Sequence, residues 1–150
     1  MKTEFGRIIT ILVVILCVGC NTKPTQPPIV GTWELVAATT TEKDTNFSTF
    51  DSRNKFIKII NPTHFAFLNH NLRAKEDTNA GTFTAGGGAY TLVDSVYTES
   101  LDYYIDRKWE NNKFEFIVTM RGDTLVQKGI EKVDKLGIDR VIVEKYKRVN

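Results

Sequence analysis

From residue 29 onward the chain consists of short runs rich in β-branched and aromatic residues, punctuated by Gly, Asn and Asp clusters. Nowhere in it does an apolar period of 3.6 persist long enough for an amphipathic helix. This leaves an all-β, antiparallel fold. The runs predict strands at 31–39, 54–61, 63–69, 81–85, 89–94, 96–105, 113–120, 124–131 and 139–148. Nine segments are one more than a barrel of about eight strands needs, and 54–69, divided at Asn61-Pro62, reads either as a hairpin or as one bent strand. Gly86-Gly87-Gly88 is expected to be a tight turn or bulge, with Asn111-Asn112 and Arg121-Gly122-Asp123 at hairpin tips. Neighbours in sequence then become neighbours in space, the connectivity of an up-and-down barrel. The two longer polar connections, Thr40–Arg53 and Asn69–Ala80, are expected to be surface loops beside the barrel mouth.

The N-terminus has a different character. Lys2 and Arg7 precede an apolar run from Ile8 to Val18, which ends at Val18-Gly19-Cys20 before the composition turns polar. A helix of that length is too short for a bilayer core of about 30 Å but matches the apolar stretch of a secretory signal. Val18-Gly19-Cys20 resembles a bacterial lipobox. Residues 1–19 are therefore expected to form a lipoprotein signal peptide, in which the apolar run is helical. Cys20 is the expected cleavage and lipidation point, residues 20–28 a proline-containing tether, and 29–150 the folded domain. The resemblance also implies the outer membrane, since Asn21 stands where Asp favours inner-membrane retention in enteric-type systems. The two cysteines of the chain, Cys17 and Cys20, both fall outside the folded domain, which excludes disulfides, thiol nucleophiles and thiolate metal sites there. A net charge of +2, or +1 after loss of Lys2, Glu4 and Arg7, gives no basic face for nucleic acid.

Gly31-Thr32-Trp33 opens the first predicted strand, and the last one ends in Arg148. A Gly-x-Trp so placed, ahead of a β-meander, resembles the calycin superfamily, and more narrowly the lipocalin-like lipoproteins of Gram-negative bacteria. The later lipocalin signatures, Thr-Asp-Tyr and a subsequent Arg, are not clearly present. The resemblance implies a barrel sealed at one end by Trp33 beneath Arg148, a cation–π contact worth about 0.5–2 kcal/mol. It also implies a small, partly apolar ligand inside.

Strand alternation indicates which side chains face that interior. With Trp33 inward, Leu35 and Ala37 follow; with Arg148 inward, Ile142, Glu144 and Tyr146 follow. Tyr97, Glu99, Leu101 and Tyr103 share one face, Leu125 and Gln127 another, and Phe114, Phe116 and Val118 a third, while His64, Ala66 and Leu68 oppose Phe65 and Phe67. The ligand-binding residues expected from this phasing are His64, Tyr97, Glu99, Gln127, Glu144 and Tyr146. Interior carboxylates at Glu99 and Glu144 would each need a hydrogen bond, a raised pKa or a bound group. His64 and His70 stand too far apart along a strand to share a metal, and no metal or cofactor is expected. Trp109, between Lys108 and Glu110, is an aromatic near a hairpin tip, either packed or exposed. Hydrolase motifs are absent from the sequence, so no enzyme activity is expected. The alternatives to ligand binding are a protein-interaction or inhibitor lipoprotein acting through the mouth loops, and an enzyme using the interior acids Glu99 and Glu144.

Overall fold

The computed structural model describes residues 28–72 and 83–149. The signal helix expected at 1–19, Cys20, almost all of the expected tether, and most of the second long connection lie outside the described residues.

The described chain forms ten strands: β1 (Gly31–Glu42), β2 (Thr45–Ser48), β3 (Asn54–Ile60), β4 (His64–Asn71), β5 (Phe83–Val93), β6 (Val96–Leu101), β7 (Tyr103–Tyr104), β8 (Asn112–Arg121), β9 (Thr124–Val133) and β10 (Ile138–Arg148). Eight of them close a ring in the order β1, β3, β4, β5, β6, β8, β9, β10, with every neighbouring pair antiparallel. Closure runs from Trp33 opposite Arg148 to Thr41 opposite Val141. β2 hangs on the outer half of β1, and β7 pairs with β5 beyond the end of β6. The result is a closed eight-stranded antiparallel barrel with two accessory strands.

Asn61-Pro62 divides a hairpin. The Asn61 side chain accepts the backbone N–H groups of Thr63 and His64 at 2.9 and 2.7 Å, fixing the turn between β3 and β4. Four expectations need correction. Gly86-Gly87-Gly88 is no turn but the middle of β5, so that 81–85 and 89–94 are one strand and the count falls to eight. A Cβ on Gly88 would land on the Ser100 carbonyl and Asp102, where β6 bends towards β7; the missing side chain lets two backbones approach. Thr40–Arg53 is largely not a loop, because β1 continues to Glu42 and turns through Lys43 and Asp44, both at positive φ, into β2. The pairing of β1 with β10 slips at Val36. That bulge turns Ala37 outward and sends Ala38 and Thr40 in. The same happens at Asp102, so Tyr103 is 70 % exposed and Tyr104 takes the inward position.

One end of the barrel, its base, is filled. Trp33, Ile60, Phe65, Tyr90, Tyr97, Leu125 and Tyr146 are buried there, with Ile29 from the entering chain. The Arg148 guanidinium lies 4.1 Å from the Trp33 ring centre and donates to the carbonyls of Val30 and Pro28. Trp33 Nε1 donates to the Ile29 carbonyl at 2.8 Å. Gly31, at φ 148°, is where this seal demands glycine, because a Cβ would meet Arg148 Nη1.

Candidate functional site

Above the base the interior becomes polar. β3 presents Phe56, Lys58 and Ile60 on its inner phase, and Lys58 is only 3 % exposed. Its ammonium donates to Glu99 Oε1 at 2.7 Å from β6 and to Gln127 Oε1 at 3.0 Å from β9. The rings of Tyr146, Phe65 and Tyr97 surround it at 5.4, 5.7 and 5.9 Å. A cation taken out of water needs such company, and here it has a carboxylate, an amide and three π-faces. Burial pushes the Glu99 carboxyl up from its ordinary value, and the Lys58 ammonium pulls it back. Tyr97 is fully buried next to Glu99, and its hydroxyl has no hydrogen-bond partner among the described residues.

Above this floor lies a cavity of about 200 Å³, reaching from Lys58, Glu99, Gln127 and Tyr146 to Tyr104, Trp109 and Arg140 at the mouth. Six rings form a continuous belt in its wall, in the order Tyr146, Phe56, Phe67, Tyr104, Trp109, Phe114. Successive ring centres stand 6.3, 5.6, 5.9, 6.1 and 6.3 Å apart. At the rim, Arg140 grips Glu131 at 2.6 Å, reaches Glu42 at 3.9 Å and lies over the Trp109 ring at 5.8 Å. Burial pushes the Glu131 carboxyl up against the opposing pull of Arg140. Glu144 sits midway up the wall and accepts the Tyr146 hydroxyl at 2.7 Å. Burial, and then the neighbouring Glu144, hold the Tyr146 phenol well above its usual range, so it is a neutral donor. A second chamber of about 220 Å³ lies beneath residues 49–54, with Phe56 and Glu144 in its wall as well.

Glu99, Gln127, Glu144 and Tyr146 thus come together in one cavity. Tyr97 lies behind its floor, within the core. His64 does not join them: Phe65 and Phe67 take the inner phase of β4, and His64 points outward, its Nδ1 2.8 Å from Thr63 Oγ1. It borders a broad open groove on the outer wall, with Phe83, Tyr103 and Ile105. Trp109 is a cavity wall and not an exposed tip. Sequence reasoning missed Lys58, Glu131 and Arg140. Glu131 continues the inner phase of β9 two steps beyond Gln127 and Arg140 that of β10 one step before Ile142, so the same rule extended would have reached them. Lys58 had no such signal, since both phases of β3 carry one lysine and two large apolar residues.

No protein-family model matches the chain, and no curated protein matches it.

Proposed function

We propose that the protein is a lipid-anchored envelope protein that holds a small, partly apolar molecule in the mouth side of its barrel. The carrying observation is the cavity itself, continuous from the Trp109 and Arg140 rim to the Lys58 and Tyr146 floor. A barrel acting only through its loops would gain by filling this volume with side chains, because unfilled space forfeits packing. Aromatic walls with a few fixed polar groups are the composition of small-molecule sites. Both chambers fall below the usual range of about 300–1,000 Å³, which favours a ligand smaller than a drug or a fatty acid. The Gly31, Trp33 and Arg148 seal supports lipocalin-like kinship. Lys2, Arg7, the apolar run and Cys20 support export and acylation, with the outer membrane as destination.

Native mass spectrometry of the protein purified from its own envelope tests the binding half. The expected result is a substoichiometric or full adduct of a small molecule that organic extraction removes; bare protein mass in every preparation overturns it. Cys20→Ser tests the anchor, with loss of the acyl mass and of membrane fractionation expected.

A further inference from the structure

We propose, resting on that cavity reading, that the ligand carries a positive charge: a small primary or quaternary ammonium on an apolar, ring-sized body. The inference comes from which charges in the cavity are already answered. Five ionisable side chains with formal charge at neutral pH face it: Lys58 from β3, Glu99 from β6, Glu131 from β9, and Arg140 and Glu144 from β10. Lys58 is committed to Glu99 and Gln127, and Arg140 to Glu131, with Glu42 behind it. Asp51, in the wall of the second chamber, is paired with Arg53. Glu144 receives only the Tyr146 hydroxyl, and no ammonium or guanidinium of the described residues comes within ion-pairing distance of it. Three carboxylates against two cations leave the cavity one negative charge in excess, located at Glu144.

The wall beside the carboxylate adds no competing cation: the Tyr146 ring, over which Lys58 lies, offers Glu144 only its hydroxyl, and the Phe56 ring stands 6.3 Å from it in the same wall. An anionic ligand would find both cations engaged in short ion pairs and would have to break one. A cation finds a carboxylate whose one partner is the neutral Tyr146 phenol, with the Phe56 ring in the same wall. The cavity volume of about 200 Å³ admits a body of roughly ten heavy atoms at close packing, if each occupies about 20 Å³.

The test compares three probes of one shape, 3-phenylpropylamine, 3-phenylpropan-1-ol and 3-phenylpropionate, by calorimetric titration at neutral pH. The full chain in nanodiscs is titrated, with empty nanodiscs as the blank. The amine is expected to bind at least tenfold more tightly than the alcohol, and the carboxylate more weakly than either. Glu144→Gln should bring the amine-to-alcohol ratio close to one, whereas Glu115→Gln, the same charge change on the outer face of β8, should leave it unchanged. An alcohol or carboxylate that binds as tightly as the amine to the wild type overturns the charge inference and leaves the cavity reading intact. So does an equal collapse of the ratio in Glu115→Gln. No binding of any of the three up to millimolar concentration removes the cavity reading together with the inference. The wild-type ranking alone decides the case if Glu144→Gln does not fold.

Discussion

Replacing Lys58 with Met should be among the most damaging single changes in the barrel, and replacing its partner as well should undo most of the damage. Lys58 and Glu99 are 3 % and 7 % exposed and 2.7 Å apart. At an effective dielectric of about 20, their attraction is roughly 6 kcal/mol. Against this stands a desolvation penalty of several kcal/mol for each ion, so the intact pair contributes little net stability. With Lys58 removed, the carboxylate remains buried and unanswered, beside a Tyr97 hydroxyl that already lacks a partner. Breaking one side of such a pair costs about 3–5 kcal/mol, a large fraction of the total for a domain of this size.

Urea unfolding reads this directly. With an m-value near 2 kcal/mol/M, Lys58→Met should lower the midpoint by about 2 M. Glu99→Leu should do comparable harm by stranding the ammonium among Tyr146, Phe65 and Tyr97. The double variant should fall within about 1–2 kcal/mol of wild type, giving a coupling of 3 kcal/mol or more. Additive single effects, or a Lys58→Met loss below 1 kcal/mol, would refute the account of a buried, mutually dependent pair.

Three further outcomes follow from the base and the rim. Arg148→Met removes the stacking on Trp33 and two hydrogen bonds to the Val30 and Pro28 carbonyls. It should cost about 2–4 kcal/mol in urea unfolding. Gly31→Ala places a methyl group on Arg148 Nη1 and should cost about 1–3 kcal/mol. In an Arg148→Ala background the steric part of that cost should vanish, and an unchanged cost would show that backbone strain alone is responsible. Glu131 has a folded pKa above its unfolded value of about 4.3, chiefly through burial. Its stabilising contribution is therefore complete below the unfolded pKa and is lost as pH rises through the folded one. Glu131→Gln should accordingly show a smaller fall in urea midpoint from pH 5 to pH 7 than wild type. A steeper fall in the variant would reverse the sign assigned to Glu131.

Where the fold was legible in the sequence, one condition held: the strand kept its period. β8, β9 and β10 are regular, so Phe114, Phe116, Leu125, Gln127, Glu144, Tyr146 and Arg148 all lie on the faces that alternation assigns. The Trp33 and Arg148 seal was implied by the resemblance that Gly31-Thr32-Trp33 carries, and the antiparallel pairing of the first and last strands does set the two residues opposite each other. Ala37 and Tyr103 were misplaced because a single inserted residue, at Val36 and at Asp102, inverts every position beyond it, and neither site bears a glycine to announce it. Gly86-Gly87-Gly88 misled in the opposite direction. Glycine marks turns because it tolerates positive φ, yet none of these three uses that freedom, and they are there because neighbouring backbone and rings fill the space of a Cβ. Lys58 exposes a deeper limit. A lysine is ordinarily found outside, and β3 carries no periodicity that would point this one inward. The informative signal lay on other strands: alternation had already turned Glu99 and Gln127 inward, and a buried carboxylate next to an amide requires a cation or donor from across the barrel. Glu144 was turned inward by the same alternation and made the same demand, and within the described chain only a phenol meets it. A demand met by a lysine at Glu99 and by no cation at Glu144 is the asymmetry that makes Glu144, rather than Glu99, the point where a foreign charge belongs.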